Sequence, residues 1–335
     1  MAAAFEDIGS ELAYDDVLIA HTHVDTYATL GCLAACSSVG VWGNATVDGK
    51  LIHGHNTDWD AGKALCSAGV TILAIPDKGY PYLLSSWGGI IGNLNGINAA
   101  GITVAQMSQL SKDGFGMFGN PVFWISTEIL QYATSIQDAI DIVSQSKRTY
   151  GSNLLVTDGK VNDAAVIETS KHLLVVRDPE YVGIPPNPEV ETYPDTIWSS
   201  FNPYQTPQLA KTQPLIRLYI RLTKLGLPQI SFLGDVHGRY NRWAELLEEN
   251  YGKIDIDRMG RMQKDTPPVY DEWSTISRMV MCPEDLILRI DNHWFNDPRS
   301  ERALVEYNLR EILGRIPNCR INGIDAREFF ESWAS

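Results

Sequence analysis

The order in which strand-like and helix-like segments follow one another constrains the fold of this chain most strongly. From residue 36 onward, short apolar runs with strand character lie at residues 36–42, 51–55, 70–76 and 80–87, and a helical period replaces them only at residues 124–146. In that stretch apolar residues recur at three- and four-residue spacing, which is typical of an amphipathic helix. More short strands and then more helices follow, without regular strand–helix alternation. A doubly wound parallel sheet requires that alternation, so the pattern favours an α+β layered sandwich.

Turn-forming residues and glycines add local detail to this prediction. Asp48-Gly49 is a tight-turn signal and predicts a hairpin between the first two strands. The glycine-rich residues 88–104 predict strands whose backbones approach another group closely. Residues 178–207 are rich in proline and aromatic side chains and are predicted to form a long ordered loop. Helices are predicted at residues 215–225 and 239–249.

Charge and cysteine content narrow the classes of function. The 335 residues have a formal net charge of −14 and a pI near 4.9, which argues against a nucleic acid or an anionic membrane as partner. No run of about eighteen apolar residues is present, so no membrane-spanning helix is expected. The five cysteines are an odd number at irregular spacing, which indicates free thiols in a reducing compartment rather than a disulfide framework.

Cys36 is the candidate nucleophile of this chain. It opens the first predicted strand, and the hairpin would return Asp58 to the start of that strand. A thiol is only slightly ionised at neutral pH, so it needs a nearby base or positive charge before it can attack a carbonyl group. Considered without its surroundings, a cysteine at this position is more often a small buried apolar side chain.

Five segments, in order along the chain from about residue 10 to residue 265, resemble a known family. They are Cys36-Ser37-Ser38, the block from Ala45 to Trp59, the block from Gly96 to Ile102, Gly151-Ser152-Asn153 leading to Glu168, and the block from Arg239 to Leu247. The sequence is similar to the N-terminal-nucleophile hydrolases of the choloylglycine hydrolase and isopenicillin-N acyltransferase type. It looks closest to the autoproteolytic acyltransferase/hydrolase branch related to phospholipase-B-like proteins. This resemblance implies a four-layer αββα sandwich and an enzyme that hydrolyses linear amides or transfers their acyl group.

The resemblance implies a zymogen in which Cys36 becomes a new N-terminus. In this family the base is the α-amine of the nucleophile itself, with a reference pKa of roughly 8. That amine exists only after autocatalytic cleavage between Ala35 and Cys36. The small side chains of Ala34 and Ala35 leave the scissile carbonyl open to the thiol, which permits cleavage without requiring it. Asp58 would hold and orient the freed amine, with a turn or helix-cap aspartate as the structural alternative.

The resemblance also implies roles for four further residues. Asn153 would donate a hydrogen bond to the oxyanion of the tetrahedral intermediate, and Asn98 stands where relatives contribute a second oxyanion or substrate-orienting group. Arg239 would lower the pKa of the Cys36 thiol through its positive charge. His55 stands where the bile-salt-hydrolase members carry an arginine, so activity would depend differently on pH. The structural alternatives are a loop residue for Asn153, a turn residue for Asn98 and a surface helix residue for Arg239.

Domain organisation and partners follow from the same resemblance. Residues 1–35 are expected to be a propeptide-like leader, and residues 36–335 one catalytic domain. Relatives carry a longer leader, so the compartment stays open: the N-terminus has no signal peptide and fits the cytoplasm, whereas a longer precursor would allow secretion. The expected partner is a small N-acyl amide, no cofactor or metal is implied, and homo-oligomer formation is left open. Candidates for an apolar acyl pocket, each equally a core residue, are Trp59, Tyr80, Tyr82, Trp87 and Trp124.

A second motif indicates a rival, metal-dependent function. Gly234-Asp235-Val236-His237-Gly238 resembles the opening of binuclear metallophosphoesterase sites, in which an aspartate and a histidine two residues apart bind metal. The later motifs of that family are missing, and the nearest approach, Asp291-Asn292-His293-Trp294, lacks the glycine and the following acid. A metallophosphoesterase using Asp235 and His237, or a catalytically inactive binding protein of the N-terminal-nucleophile fold, are therefore the alternatives.

Overall fold

The chain folds around two stacked antiparallel sheets. The computed structural model describes residues 13–16, 18, 19, 21, 22, 36–59, 67–90, 92, 94–114, 116, 118–180, 193–201, 203–226, 238–265, 268–270, 274–292 and 304–333. Within them the strands are β1 (Ser37–Val41), β2 (Ile52–Asp58), β3 (Gly69–Ala74), β4 (Tyr82–Trp87), β5 (Asn95–Asn98), β6 (Ile102–Gln109), β7 (Gly151–Asp158), β8 (Asp163–Thr169), β9 (Leu174–Arg177), β10 (Thr196–Ser200), β11 (Thr275–Cys282), β12 (Ile287–Asn292), β13 (Val305–Asn308), β14 (Arg320–Ile321) and β15 (Ile324–Asp325).

Helical residues precede β1 at 14–16, 18, 19, 21 and 22, and the helices whose bounds the structure describes lie between and after the strands. They are α1 (Val122–Tyr132), α2 (Ile136–Gln145), α3 (Pro207–Ala210), α4 (Pro214–Lys224), α5 (Gly238–Asn250), α6 (Ile256–Met262), α7 (Leu309–Arg315) and α8 (Ala326–Trp333). Among the described residues, no helix combines the length and the apolar character needed to cross a bilayer.

The two large sheets differ in how far apart in sequence their neighbouring strands lie. The seven-stranded sheet has the order β3-β4-β5-β6-β7-β8-β9, a meander in which each strand pairs with the next one along the chain. The six-stranded sheet has the order β10-β1-β2-β11-β12-β13. In that sheet β1 pairs with both β2 and β10, and β2 pairs with β11, all antiparallel. Two strands from the second half of the chain, β10 and β11, therefore flank the β1–β2 hairpin.

Helices cover the outer face of each sheet, because each sheet has apolar side chains on both faces. The seven-stranded sheet packs Ile102 and Val104 against Ile125 and Ile129 of α1. The six-stranded sheet packs Val39 and Val41 against Trp243 and Leu247 of α5 and Met259 of α6. The order of layers is thus helix, sheet, sheet, helix. The predicted α+β sandwich of four layers is confirmed.

The inner faces of the two sheets meet in an interior that is partly apolar and partly polar. Gly40 of β1 faces this interior, since a Cβ there would lie 3.3 Å from Ile197 and 3.7 Å from both Leu155 and Ala164. Strand residues alternate between the two faces of a sheet, so Ser38 and Cys36 face the interior as well. At the start of β1, the side chains of Cys36 and Ser38 therefore point between the sheets, and that of Ser37 does not.

Two sequence predictions of local structure were wrong. Residues 124–146 do not form one helix: α1 ends at Tyr132, and Ser135 caps a separate α2 by accepting a hydrogen bond from the Asp138 backbone N–H. The loop predicted over residues 178–207 contains strand β10, which forms because it pairs along its length with β1. Residues 181–192 of that loop lie outside the described residues.

Candidate active site

Cys36 lies immediately before β1, and its side chain is completely buried. Its thiol belongs to the interior cluster that also contains Trp59, Trp87 and Met107. The carbonyl oxygen of Cys36 accepts a 2.8 Å hydrogen bond from the backbone N–H of Phe201, just after β10. The residue is therefore held by the six-stranded sheet while its sulfur faces the space between the sheets.

The surroundings of the Cys36 thiol keep it protonated. Burial, together with the negative charge of Asp58, raises the pKa of the Cys36 thiol to about 12. A hydrogen bond from the Asp58 backbone N–H and the positive charge of Arg239 act in the opposite direction and lower that pKa. Because burial outweighs them, Cys36 needs a proton acceptor before its sulfur can attack a carbonyl carbon.

Asp58, the last residue of β2, places a carboxylate beside the start of β1. Ser37 pairs with Asn56 in the β1–β2 register, so Asp58 lies one residue past the position opposite Cys36. Its Oδ1 accepts a 2.5 Å hydrogen bond from the Thr275 hydroxyl, and its Oδ2 lies 2.9 Å from the guanidinium of Arg239. The carboxylate, which is fully buried, is thus held from two sides.

Arg239 lies in the first turn of α5, on the outer side of the six-stranded sheet. Besides the ion pair with Asp58, its Nε donates a 2.9 Å hydrogen bond to the carbonyl oxygen of Pro268. The guanidinium is therefore fixed by two independent contacts, and the structure brings Asp58 and Arg239 together within electrostatic range of Cys36.

Asn153 reaches the same interior from the opposite sheet. Its Nδ2 donates a 2.9 Å hydrogen bond to the Ser199 hydroxyl, and Ser199 pairs with Ser38 in the β10–β1 register. Asn153 therefore bridges the sheets close to the start of β1. Its Oδ1 is buried and makes no hydrogen bond within the part of the chain that the structure describes.

His55 lies opposite Ser38 in the β1–β2 register and opposite Met279 in the β2–β11 register. Its ring is fully buried, and among the described residues neither ring nitrogen makes a hydrogen bond of good geometry. Burial lowers the pKa of His55 to about 3, and a hydrogen-bonding interaction with the Ser37 backbone raises that pKa by less. The imidazole is therefore neutral at physiological pH, unlike the arginine that the bile-salt-hydrolase members carry at this place.

A hydrogen-bonded chain of residues beside His55 was not identified from the sequence. The His53 ring contacts the Ser38 hydroxyl at 2.7 Å and the Thr103 hydroxyl at 2.6 Å, and Thr103 contacts Thr157 at 2.5 Å. Burial and the neighbouring His55 lower the pKa of His53 well below its usual value. The alternation of His53 and His55 in a predicted strand was the available signal, since residues two apart share a face.

The amide of Asn98 is hydrogen-bonded within the β5–β6 turn and to the helix layer, and the catalytic role expected for it stays a prediction. Its Nδ2 donates to the carbonyl oxygens of Leu130 and Ala133, near the end of α1. Its Oδ1 accepts from the backbone N–H groups of Ala100 and Ile102. All the donors and most of the acceptor capacity of the amide are used to join the β5–β6 turn to the outer helix layer, so the side chain faces away from Cys36.

Only some of the aromatic pocket candidates are near Cys36. Trp59 and Trp87 belong to its cluster, with ring centroids 5.8 Å apart at an interplanar angle of 76°. Tyr82 instead packs beneath α1, Tyr80 packs on Phe329 of α8, and Trp124 is partly exposed. An acyl pocket next to the thiol would therefore be lined by Trp59 and Trp87.

The residues of the rival metal motif cannot be placed. Asp235 and His237 lie outside the described residues, as does Ala35 of the expected cleavage site. Among the residues that the structure does describe, no group of three or more His, Cys, Asp or Glu side chains is arranged to hold a metal ion.

Comparison with known sequences supports the family resemblance. Residues 45–184 match the family described as acyl-coenzyme A:6-aminopenicillanic acid acyl-transferase, a range that includes His55, Asp58 and Asn153 and begins after Cys36. Protein dcd1B of Dictyostelium discoideum is 31% identical over 171 residues, which are 49% of this chain and 34% of that protein. An uncharacterized protein of Archaeoglobus fulgidus is 24% identical over 279 residues, covering 77% of this chain and 44% of that protein. The chain thus spans less than half the length of both relatives.

Two solved structures have a similar fold. A Caenorhabditis elegans ortholog of N-acylethanolamine-hydrolyzing acid amidase superimposes with a TM-score of 0.52 at 17% identity, over 74% of this chain and 93% of that chain. The R18L variant of conjugated bile acid hydrolase from Clostridium perfringens gives a TM-score of 0.50 at 14% identity, over 82% and 93%. The expected N-terminal-nucleophile hydrolase fold of the choloylglycine hydrolase and isopenicillin-N acyltransferase type is confirmed. The matched family and both structures are named for enzymes that cleave amides or transfer acyl groups, in agreement with the prediction of an enzyme of this kind.

Proposed function

We propose that this chain is a self-processing cysteine enzyme that hydrolyses linear amides, or transfers their acyl group, from an N-terminal Cys36. The observation that supports this most directly is the convergence of Cys36 with the Asp58–Arg239 ion pair at the start of β1. Asn153 adds a side chain from the opposite sheet, close to the same strand. The names of the matched family and of the solved structures with this fold support the same class of reaction.

The first step in this proposal is cleavage of the chain before Cys36. The thiol adds to the carbonyl carbon of Ala35, the carbon–nitrogen bond breaks, and the thiol proton passes to the departing nitrogen of Cys36. Water then hydrolyses the resulting thioester, which leaves a carboxylate on Ala35 and a free α-amine on Cys36. The buried Asp58 carboxylate lies one residue past the position opposite Cys36 in the β1–β2 register, so it is suited to hold the new ammonium group of Cys36 as a hydrogen-bonded ion pair.

The processed enzyme uses the freed amine as its base. The amine accepts the thiol proton, the sulfur adds to the substrate amide carbonyl, and the proton leaves with the departing amine. A thioester on Cys36 remains and is released to water or to a second amine. During the addition Asn153 Nδ2 exchanges its contact with Ser199 for the oxyanion, while Arg239 favours the thiolate. His55 supplies a neutral ring on the same inner face of the sheet, and no side chain among the described residues hydrogen-bonds its nitrogens, so a hydrogen-bonding substrate group can meet it.

The substrate class in this proposal is an N-acyl compound with an apolar acyl group. Trp59 and Trp87 form the aromatic part of the cluster that holds the Cys36 thiol. An apolar wall beside the nucleophile stabilises an acyl chain by removing its surface from water, whereas a charged acyl group would lose solvation there.

The test is intact mass measurement of the purified protein beside a Cys36→Ala variant. The proposal expects the wild type, but not the variant, to separate into fragments of residues 1–35 and 36–335. A Cys36→Ser variant tests the nucleophile further, because a hydroxyl in place of the thiol should change the rate of self-cleavage. An uncut, folded wild type without amidase activity would contradict the proposal, and a non-catalytic protein of this fold would then be the better description. Metal-dependent phosphoesterase activity lost on Asp235→Asn would instead favour the rival reading.

A further inference from the structure

Helix α4 has an inward apolar face that attaches it to the rest of the domain. Ile216, Tyr219 and Ile220 are buried and pack on Phe201, with Leu110 at the edge of the cluster. Three residues at this spacing form one stripe of a helix. The attachment is also close to the candidate nucleophile, because the backbone N–H of Phe201 donates to the carbonyl oxygen of Cys36.

A second apolar stripe of the same helix faces solvent. Leu215 is 78% exposed, Leu218 is 50% exposed, and Leu225, directly after the helix, is 80% exposed. With 3.6 residues per turn, these leucines and the partly buried Leu222 point roughly 130° away from the buried stripe. Single exposed leucines are ordinary, but an exposed row along one helix is a surface that another apolar phase can cover.

Positive charge accompanies this second stripe. Residues 203–226 contain four basic residues and no acidic residue, although the whole chain has a net charge of −14. Arg217 and Arg221 lie on α4 next to the leucine stripe, at an angle of roughly 110° from its centre. The exposed Lys112 adjoins the segment, since its backbone N–H donates to the carbonyl oxygen of Thr212. Charges more than about 8 Å from a surface are largely screened at physiological salt, so the basic residues of this segment influence binding at its surface more than the net charge of the whole chain does.

We propose that α4 docks on an anionic lipid surface. Its exposed leucines would enter the headgroup–acyl boundary while Arg217 and Arg221 meet lipid phosphates, the arrangement expected of an amphipathic helix lying in a membrane interface. The net charge of the whole chain disfavours an anionic membrane, and this basic segment is the local exception. The inner face of the same helix packs on Phe201, whose backbone N–H donates to Cys36, so a bilayer that contacts the outer face would lie one helix away from the chain segment of the thiol.

The test measures co-sedimentation with vesicles, using the Cys36→Ala protein so that the result does not depend on the proposed chemistry. Vesicles of phosphatidylcholine alone are compared with an equal mixture of phosphatidylcholine and phosphatidylserine. Two double variants change the outward-facing positions of α4 and the residue that follows it: Leu215→Gln with Leu225→Gln, which are exposed, and Arg217→Gln with Arg221→Gln, of which Arg217 is partly buried and Arg221 exposed. Matched controls at exposed positions elsewhere are Leu173→Gln and Arg315→Gln, and far-ultraviolet circular dichroism shows that each variant is folded.

We expect binding to the anionic vesicles only, weakened by added salt. The leucine double variant should bind at least about tenfold more weakly, and each arginine substitution should weaken binding about fivefold, while both controls bind as the parent does. Absence of binding to either vesicle would overturn the proposal. Binding that the leucine double variant leaves unchanged would also overturn it, because the apolar stripe would then take no part. Self-association lost in that variant, without vesicle binding, would assign the face to a second copy of the chain instead.

Discussion

Acidification should destabilise this protein through two buried histidines. His53 and His55 are fully buried between strands, and burial is the main cause that lowers the pKa of each ring, for His55 to about 3. A group whose pKa is lower in the folded than in the unfolded chain stabilises the fold fully above its unfolded pKa. That stabilisation is lost as the pH falls toward the folded pKa, because the unfolded chain binds the proton more readily.

The magnitude follows from the difference between the unfolded pKa and the pH. With an unfolded value of about 6.5 and a folded value below 5, one histidine costs about 2 kcal/mol of unfolding free energy between pH 7 and pH 5. His55→Gln removes this contribution, because a glutamine side chain does not titrate. The free energy of unfolding of the wild type should therefore fall by about 2 kcal/mol more than that of the variant over this pH interval.

Urea unfolding followed by tryptophan fluorescence at pH 7, 6 and 5 measures this difference. His172→Gln, at an exposed histidine, controls for the loss of an imidazole as such, and its curve should run parallel to the wild type. If wild type and His55→Gln lose stability in parallel between pH 7 and pH 5, His55 must already be charged or exposed in the folded chain. The account of a neutral imidazole sealed between the sheets would then be refuted.

Three further predictions test the site and the fold. Asn153→Ala should lower kcat on an N-acyl amide about 10²- to 10³-fold with little change in KM. Ser199→Ala removes only the resting partner of the Asn153 side chain and should lower kcat far less, so equal losses of kcat in the two variants would contradict an oxyanion role. Asn98→Ala should reduce the free energy of unfolding by about 2–4 kcal/mol in urea, because four buried hydrogen bonds are lost. It should leave kcat of the folded enzyme unchanged, and a selective loss of kcat would instead support the catalytic role that the family resemblance implies. Gly96→Ala should lower the free energy of unfolding by about 1–3 kcal/mol, since a Cβ there would meet a backbone carbonyl oxygen at 2.5 Å. Gly314→Ala is the control, because a Cβ at Gly314 has no atom within 4 Å and should not destabilise the fold.

Local signals in the sequence were most reliable where neighbours in sequence are also neighbours in space. The meander β3–β9 needs only short connections, and its strands were largely visible as short apolar runs bounded by turn residues. The prediction of one helix over residues 124–146 was wrong because the apolar period continues across Thr134-Ser135, the pair that separates α1 from α2. The close backbone approach expected of the glycine-rich segment is present at Gly96.

In the candidate site, motifs predicted which residues to consider, and the geometry decided which of them lie together. The family resemblance named Cys36, Asp58, Asn153 and Arg239 from four separate segments, and the structure brings all four to the start of β1. It could not separate them from Asn98, whose motif is equally good but whose side chain faces the helix layer. Which face a strand residue occupies depends on pairing register, and a shift of one residue reverses it.

By itself the sequence determined the class of fold, the identity of the nucleophile candidate and the general chemistry to expect, because these depend on periodicity, residue type and motif order. Only the tertiary structure decided what surrounds the thiol: the ion pair of Asp58 with Arg239, the bridge from Asn153 to Ser199 and the two buried histidines. These contacts join residues from 46 to more than 180 positions apart. Asn153 and Ser199 become neighbours only when the two sheets stack, and Asp58 meets Arg239 only when α5 packs on the six-stranded sheet, so no local pattern in the chain encodes these contacts.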